Sequence, residues 1–478
     1  MTPYLEPRVE GELRAVLEER DLLRTLVGAL GSPLNVVLPD QLARNVGAYR
    51  VVYRDHRLGG QVYFAHKANR SAALVRRLAA TDAGIDVASL GELQHALGAG
   101  FDGGRIIATG PKPPEFLWLA ARSGVIVNAD SIAELAELAT IVARQRLPRV
   151  RVMARLSGFA SAGVNMLSRR SRFGIPAEEL SALWEVLAVH PEELDLVGVA
   201  YHLDTVGLPE KVAALDGCLR VVDEALHHGL APHAVDIGGG FGVNYLADGK
   251  QWEHWASELT GAVLGRRQPL TWNEHGYGLR NENGTIRGSL GLYPAHRSLS
   301  GPAYLDRLLS SPSPSLRRPL GTLLLETMSD LHIEPGRSLV DQCGLVLVTV
   351  AEVRRQQGRT LVRLNCNARD ISTEEQGVQM DPILLSDPAP SATGVHLLGN
   401  LCLETDLITR REVFLPALPE PGDVLAFVNT AGYVMDFSAG HALMQPTART
   451  VAMHRIGDSW QWCMDEQYWP VGRREGTP

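Results

Sequence analysis

The sequence predicts an α/β protein, a (β/α)8 barrel followed by a mostly β domain, and three observations carry that reading. Short apolar runs alternate with segments of helical period up to about residue 325. The connections between them are short, as expected for parallel strands joined by crossover helices, and so many apolar strands in series favour a closed barrel over an open doubly wound sheet. Past "TLLLETMSDLHIEPGRSLV" the helical period stops, and β-rich runs separated by turns take over.

The elements follow in order. Residues 8–29 form one or two amphipathic helices that end where "GALGSP" places Gly and Pro. "PLNVVLP" is a strand and "DQLARNVGAYRVVYRDH" a helix. The barrel units then read "VYFAHKA" with "SAALVRRLAAT", "GIDVAS" with "LGELQHALGAG", "RIIATG", "GVIVNAD" with "SIAELAELATIVARQ", "RVRVMARL", "LVGVAYHLD" with "LRVVDEALHHG", and "AVDIGGGFG". The expected division is residues 1–40 as helices and a strand joining the β domain, 41–326 as the barrel, and 327–478 as the β domain. An insertion at about 265–300, Gly-rich with Trp272, His275, Tyr277, Arg280, Tyr293 and Arg297, exceeds what one barrel unit needs. It is expected to be an ordered lid, a partner surface or a structural excursion.

Composition narrows the function. A chain of 478 residues with 45% hydrophobic content supports more than one core, and a net charge of -8 without long runs of one sign disfavours nucleic acid as partner. No apolar stretch has the length of a membrane span, and the charged N-terminus does not resemble a secretory signal, which implies the cytoplasm. Five scattered cysteines without a CxxC pair suggest neither disulfides nor a zinc site, and the NGT at Asn283 is read as chance.

Several residues bear chemistry. Side chains alternate along a strand, so Tyr63, Ala65 and Lys67 share one face, with Lys67 at the C-terminal end where barrel enzymes place catalytic groups. A lysine disfavoured by burial there is suited to Schiff-base formation, although one snorkelling to the surface would look the same in sequence. Gly238, Gly239 and Gly240 follow a strand and let backbone N–H groups approach a phosphate, or simply make a turn. In "EPGR", Arg337 offers a fork for phosphate and Glu334 a partner for a protonated ring nitrogen; the alternative is a turn with an ion pair. His202 ends another strand, where it either stacks on a flat cofactor or is satisfied by backbone.

Together "HKAN", "DVASLGEL", His202, "DIGGGF", "EPGR", Cys402 followed by Asp406, and Tyr433 after "PGDVLAFVNTAGY" resemble the fold-type III pyridoxal phosphate-dependent decarboxylases, the diaminopimelate and ornithine decarboxylase family, from about residue 30 to 455. The resemblance implies an alanine racemase-like barrel and pyridoxal 5'-phosphate bound through a Schiff base to Lys67. It places His202 against the ring, Gly238, Gly239, Gly240, Arg337 and Tyr433 around the phosphate, and Glu334 at the pyridine nitrogen. Cys402 from the partner subunit would protonate the carbanion and hold substrate, implying a head-to-tail homodimer with shared sites. Arg155 and "SRFG" at 171–174 match a substrate-side arginine and loop, and Glu404 and Asp406 lie in the substrate-binding stretch. The implied substrate is an amino acid, free or carrier-linked.

This chain departs from the pattern at Leu403, where the diaminopimelate and ornithine enzymes carry an acidic residue for a distal amino group. "NARDISTEEQGVQMDPILL" has Arg369 and Asp381 but no "RPALY"-like pair, which makes meso-diaminopimelate a poor candidate. An amino-acid racemase and a non-catalytic regulator derived from the fold are the alternative expectations.

Overall fold

In the computed structural model, which describes residues 3–158, 171–203, 207–386, 391–457 and 459–470, eight parallel strands close into a barrel. They are Gly60–Ala65, Gly84–Val87, Ile106–Ala108, Ile126–Ala129, Val150–Ser157, Leu194–Ala200, Ala234–Asp236 and Asp330–Ile333. The last pairs in parallel with both Ala234–Asp236 and Gly60–Ala65 and so closes the ring. Sequence reasoning ended the barrel at 326; the closing strand lies beyond it, because a four-residue segment with Asp330 and His332 in alternation carries too little apolar signal to read as a barrel strand.

Period-two alternation fills the barrel. Tyr63 points inward to a layer with Ile107, Ile126, Met153, Val197, Ala200 and Ala234, while Val62 and Phe64 point outward into the core under the helices. Helices start where serine caps them. Ser71, Ser89 and Ser131 accept the N–H of Leu74, Glu92 and Glu134, and Glu92 and Glu134 return the favour to Ala88 and Asp130. Each S-x-x-E box therefore fixes the exit from a strand's C-terminal end, the rim on which the site is built.

The second domain is a nine-stranded sheet centred on Gly344–Gln356. Leu34–Val37, from the N-terminal region, lies inside that sheet, antiparallel to Gly344–Leu347 and parallel to Arg449–Ala452. Asp381 and Arg411, both fully buried, pair beneath it, and Asp381 also accepts the N–H of Leu5 at 2.9 Å.

The insertion packs along the β domain. Trp272 donates its N–H to Arg410, Glu412 to Leu270 and Tyr293 to Gly377, and Tyr277 and Ala295 are buried in the β-domain core. Its exposed part is a short hairpin, Arg280–Glu282 with Thr285–Arg287. Among the described residues no helix is long and apolar enough to cross a membrane.

Candidate active site

The strand Gly60–Ala65 stops before Lys67, which lies in a 3-10 turn, His66–Ala68, at the barrel mouth. Strand alternation alone therefore does not orient Lys67; the turn does. The β domain grips that turn: Tyr433 donates its N–H to Ala68 O at 2.9 Å, and Asn69 Nδ2 donates to Ala431 O at 2.9 Å. Two glycines let the segments interlock. A Cβ on Gly336 would stand 2.7 Å from Tyr433 Oη, and one on Gly432 2.9 Å from Arg337 Cγ. "HKAN", "EPGR" and "TAGY", scattered in the chain, thus form one wall.

Lys67 is exposed at the mouth and has no ion-pair partner among the described residues. Desolvation pulls its pKa down, but Asp86, Tyr433 and Glu334 together push it above the ordinary lysine value. Asp86, Asp236 and Glu334 are buried carboxylates at this end, and burial first, then their mutual repulsion for the two aspartates, raises them. Lys67, Arg155 and Lys211 oppose the rise at Glu334. Arg155 itself pairs with Asp130 at 3.1 Å and covers the ring of Phe173 at 4.9 Å.

The glycine loop follows Asp236, whose Oδ1 accepts the Gly238 N–H at 2.7 Å. Gly238 and Gly240 have φ of 62° and 88°, and a Cβ on Gly238 would come within 2.7 Å of His202 Nδ1. His202 sits between loop and carboxylate: the Gly239 N–H points at Nδ1 from 3.4 Å, and Glu334 Oε2 is 3.8 Å away. Beneath the loop is Lys211, fully buried, whose ammonium donates to Gly239 O and lies 5.5 Å from the Phe241 ring centroid. Sequence reasoning missed Lys211. Its signal is a lysine on the buried face of the helix Leu208–His227, in register with Leu215, Cys218 and Val222.

Arg337 donates to Tyr245 Oη at 2.8 Å and faces the rings of Tyr293 and Tyr433, 4.7 Å and 5.1 Å from their centroids. The structure thus gathers Lys67, His202, Gly238, Gly239, Gly240, Glu334, Arg337, Tyr433 and Arg155 around the barrel mouth. It does not gather the rest. Cys402 and Glu404 are exposed on a loop whose hydrogen bonds run to the Cys366–Ala368 segment and to Asp406, within the β domain. Asp406, expected to bind substrate, is turned inward: it is 7% exposed and accepts the N–H groups of Ala368 at 2.8 Å and Leu401 at 2.7 Å. Its carboxylate shapes the loop, since backbone amides already occupy both oxygens.

Whether the mouth fits a phosphorylated pyridine is testable on two features. Among the described residues Glu334 Oε1 is buried without a hydrogen-bond partner, so a bound N–H would satisfy it. The glycine loop packs directly against the same carboxylate's turn, a Cβ on Gly239 standing 2.8 Å from Glu334 O, so its backbone lies beside that unpartnered oxygen. Both fit the group.

The family described as "Pyridoxal-dependent decarboxylase, pyridoxal binding domain" matches residues 41–275. The chain is 31% identical over 379 residues to a diaminopimelate decarboxylase of Zymomonas mobilis, covering 78% of this chain and 76% of that one. It is also 30% identical over 419 residues to the uncharacterized protein y4yA of Sinorhizobium fredii, covering 85% and 84%. Among solved structures, diaminopimelate decarboxylase from Helicobacter pylori complexed with L-lysine superposes with a TM-score of 0.67 at 18% identity, over 92% of this chain and 95% of that one. The arginine decarboxylase of Paramecium bursaria Chlorella virus gives 0.66 at 18%, over 91% and 100%. These two likenesses establish the alanine racemase-like fold. The chain belongs to the fold-type III pyridoxal phosphate-dependent decarboxylases. It is accordingly an enzyme that uses pyridoxal phosphate to decarboxylate an amino acid.

Proposed function

We propose that the chain removes the α-carboxyl group of an amino acid at the mouth of the barrel, with Lys67 as the point of cofactor attachment and Cys402 of a second copy as proton donor. The observation that carries this reading is Glu334, buried beside the glycine loop with Oε1 unpartnered. Pyridoxal phosphate, when bound, supplies an electron sink for the pair left on Cα as CO2 departs. Glu334 would keep a proton on the ring nitrogen of the bound cofactor, which favours decarboxylation. An alanine racemase-type site would instead face that nitrogen with an arginine.

The remaining roles belong to this chain's own groups. Lys67 would hold the cofactor as a neutral amine, and the surrounding carboxylates retain its proton; cofactor uptake is therefore expected to speed up as pH rises. The Gly240 N–H, Arg337 and Tyr433 Oη would hold the phosphoryl end, and His202 would cover the ring. Arg155, oriented by Asp130, lies on the substrate side. Cys402 delivers its Sγ proton to Cα from the partner, since its own loop is exposed and anchored inside the β domain.

The curated relative from Zymomonas mobilis acts on diaminopimelate, which carries a distal ammonium. Here Leu403, 51% exposed, occupies the position expected of an acidic residue, and Asp381 is consumed by Arg411. The substrate is therefore an amino acid whose distal end is not a simple ammonium, met by Leu403 of the partner.

Subunit mixing tests the shared site. Lys67→Ala and Cys402→Ala each fail to form the amine product alone; a heterodimer of the two holds one intact site, so mixing restores about a quarter of wild-type amine formation. No recovery on mixing, with dimers shown to exchange, rejects the partner role of Cys402. Racemisation of the substrate without CO2 rejects decarboxylation.

A further inference from the structure

The insertion brings a second guanidinium to the glycine loop. Tyr293 carries two arginines, with the Arg297 guanidinium carbon 4.5 Å from its ring centroid and that of Arg337 4.7 Å from it. Tyr293 Oη accepts the Val243 N–H at 2.9 Å, which fixes the ring beside the loop. The Arg297 side chain lies over Gly242, where a Cβ would stand 2.8 Å from Cδ and 3.2 Å from Nε. Among the described residues Arg297 Nε is buried with no hydrogen-bond partner, and Tyr304 Oη, on which the Arg297 charge acts, is another buried atom without one. Among the described residues neither Arg297 nor Arg337 has an ion-pair partner. Two cations sharing one ring repel each other, and the ring's face offsets only part of that. An oxyanion beside them offsets that repulsion and gives Arg297 Nε the acceptor it lacks.

We propose that Arg297 joins Arg337 in a two-arginine oxyanion site at the edge of the glycine loop, so that the insertion contributes a ligand-binding side chain to the active site. The ligand is a phosphate or carboxylate group, which comes either from the phosphoryl end of the cofactor or from a distal acid group on the substrate. The second source agrees with Leu403, which leaves a distal ammonium without a carboxylate. The proposal rests on the glycine loop being the cofactor site.

The test uses Arg297→Gln and Arg297→Lys in the full chain, with melting curves to show that each folds. Cofactor-free protein is titrated with pyridoxal phosphate and, separately, with pyridoxal, read by the absorbance of the lysine adduct. Holoenzyme is titrated with glutarate, read by the change in cofactor absorbance. A weakening of about tenfold or more for pyridoxal phosphate but not pyridoxal in Arg297→Gln, recovered in part by Arg297→Lys, assigns the cofactor phosphate. A similar loss for glutarate with cofactor affinity intact assigns the substrate's acid group. If Arg297→Gln binds all three as wild type does, the proposal is overturned. Failure of the wild-type chain to bind pyridoxal phosphate at all would overturn instead the Lys67 assignment beneath it.

Discussion

The two ends of the same eight strands use their polar residues in opposite ways. At the C-terminal ends, Asp86, Asp236 and Glu334 are buried around Lys67, and Asp236 Oδ2 and Glu334 Oε1 have no hydrogen-bond partner among the described residues. At the N-terminal ends a cavity of about 290 Å3 is lined by Gln61, Tyr63, Arg151, His233, Asp330 and His332. There the polar groups find partners inside the protein. His332 Nδ1 accepts the Gln61 N–H at 3.1 Å, its ring meets Tyr63 edge-on at 5.4 Å, and Arg151 donates to Gly124 O at 2.9 Å. The apolar layer around Tyr63 separates the two ends. Unmet polar atoms cost stability, so a fold retains them where a ligand meets them; satisfied ones serve the fold itself.

Substitutions at the two ends sharpen that contrast. The largest effect belongs to Lys67→Ala, which is expected to abolish the borohydride-fixable cofactor absorbance and lower CO2 release by about 10⁴-fold or more, without loss of folding. Retention of a normal cofactor spectrum would remove Lys67 from its assigned place. Glu334→Gln comes next. It keeps the shape of the mouth but loses the carboxylate proposed to face the ring nitrogen, and kcat should fall by about 10²–10³-fold while the cofactor stays bound. An unchanged kcat would show that the unpartnered oxygen serves no proton.

The smallest effect on catalysis, none, is expected at the other end. Burial lowers the pKa of His332 to about 4, so between about 6.5 and 4 the unfolded chain binds a proton that the folded one refuses. The stability this histidine contributes is therefore complete above about 6.5 and is lost as pH falls toward 4, by at most about 3 kcal/mol. His332→Gln, which keeps an acceptor for Gln61, should flatten that acid limb in urea melts between pH 7 and 4 and leave turnover alone. A variant with the wild-type slope, or with impaired turnover, would break the division between the two ends.

The elements of the barrel were legible because their signals are local. Ser131 three residues before Glu134 marks a helix start wherever it occurs, and "VYFA" alternates in and out whatever lies beside it. Asp406 and Asp381 were not legible. In sequence they are carboxylates near a candidate site, and only their partners, Ala368 and Leu401 for one and Arg411 and Leu5 for the other, show them to be internal fastenings.

By itself, then, the sequence determined where the strands and helices of the barrel begin, the closing strand excepted, that a lysine follows one apolar strand and glycines another, and that Glu334 and Arg337 share a turn. All of these follow from periodicity, capping and turn chemistry within a few residues. The tertiary structure alone decided that Tyr433 clasps the Lys67 turn, that Lys211 is buried under the glycine loop, and that Arg297 reaches that loop from the insertion. Which distant groups meet is set by packing and by the pairing of buried polar atoms across the whole chain, and no local pattern records it.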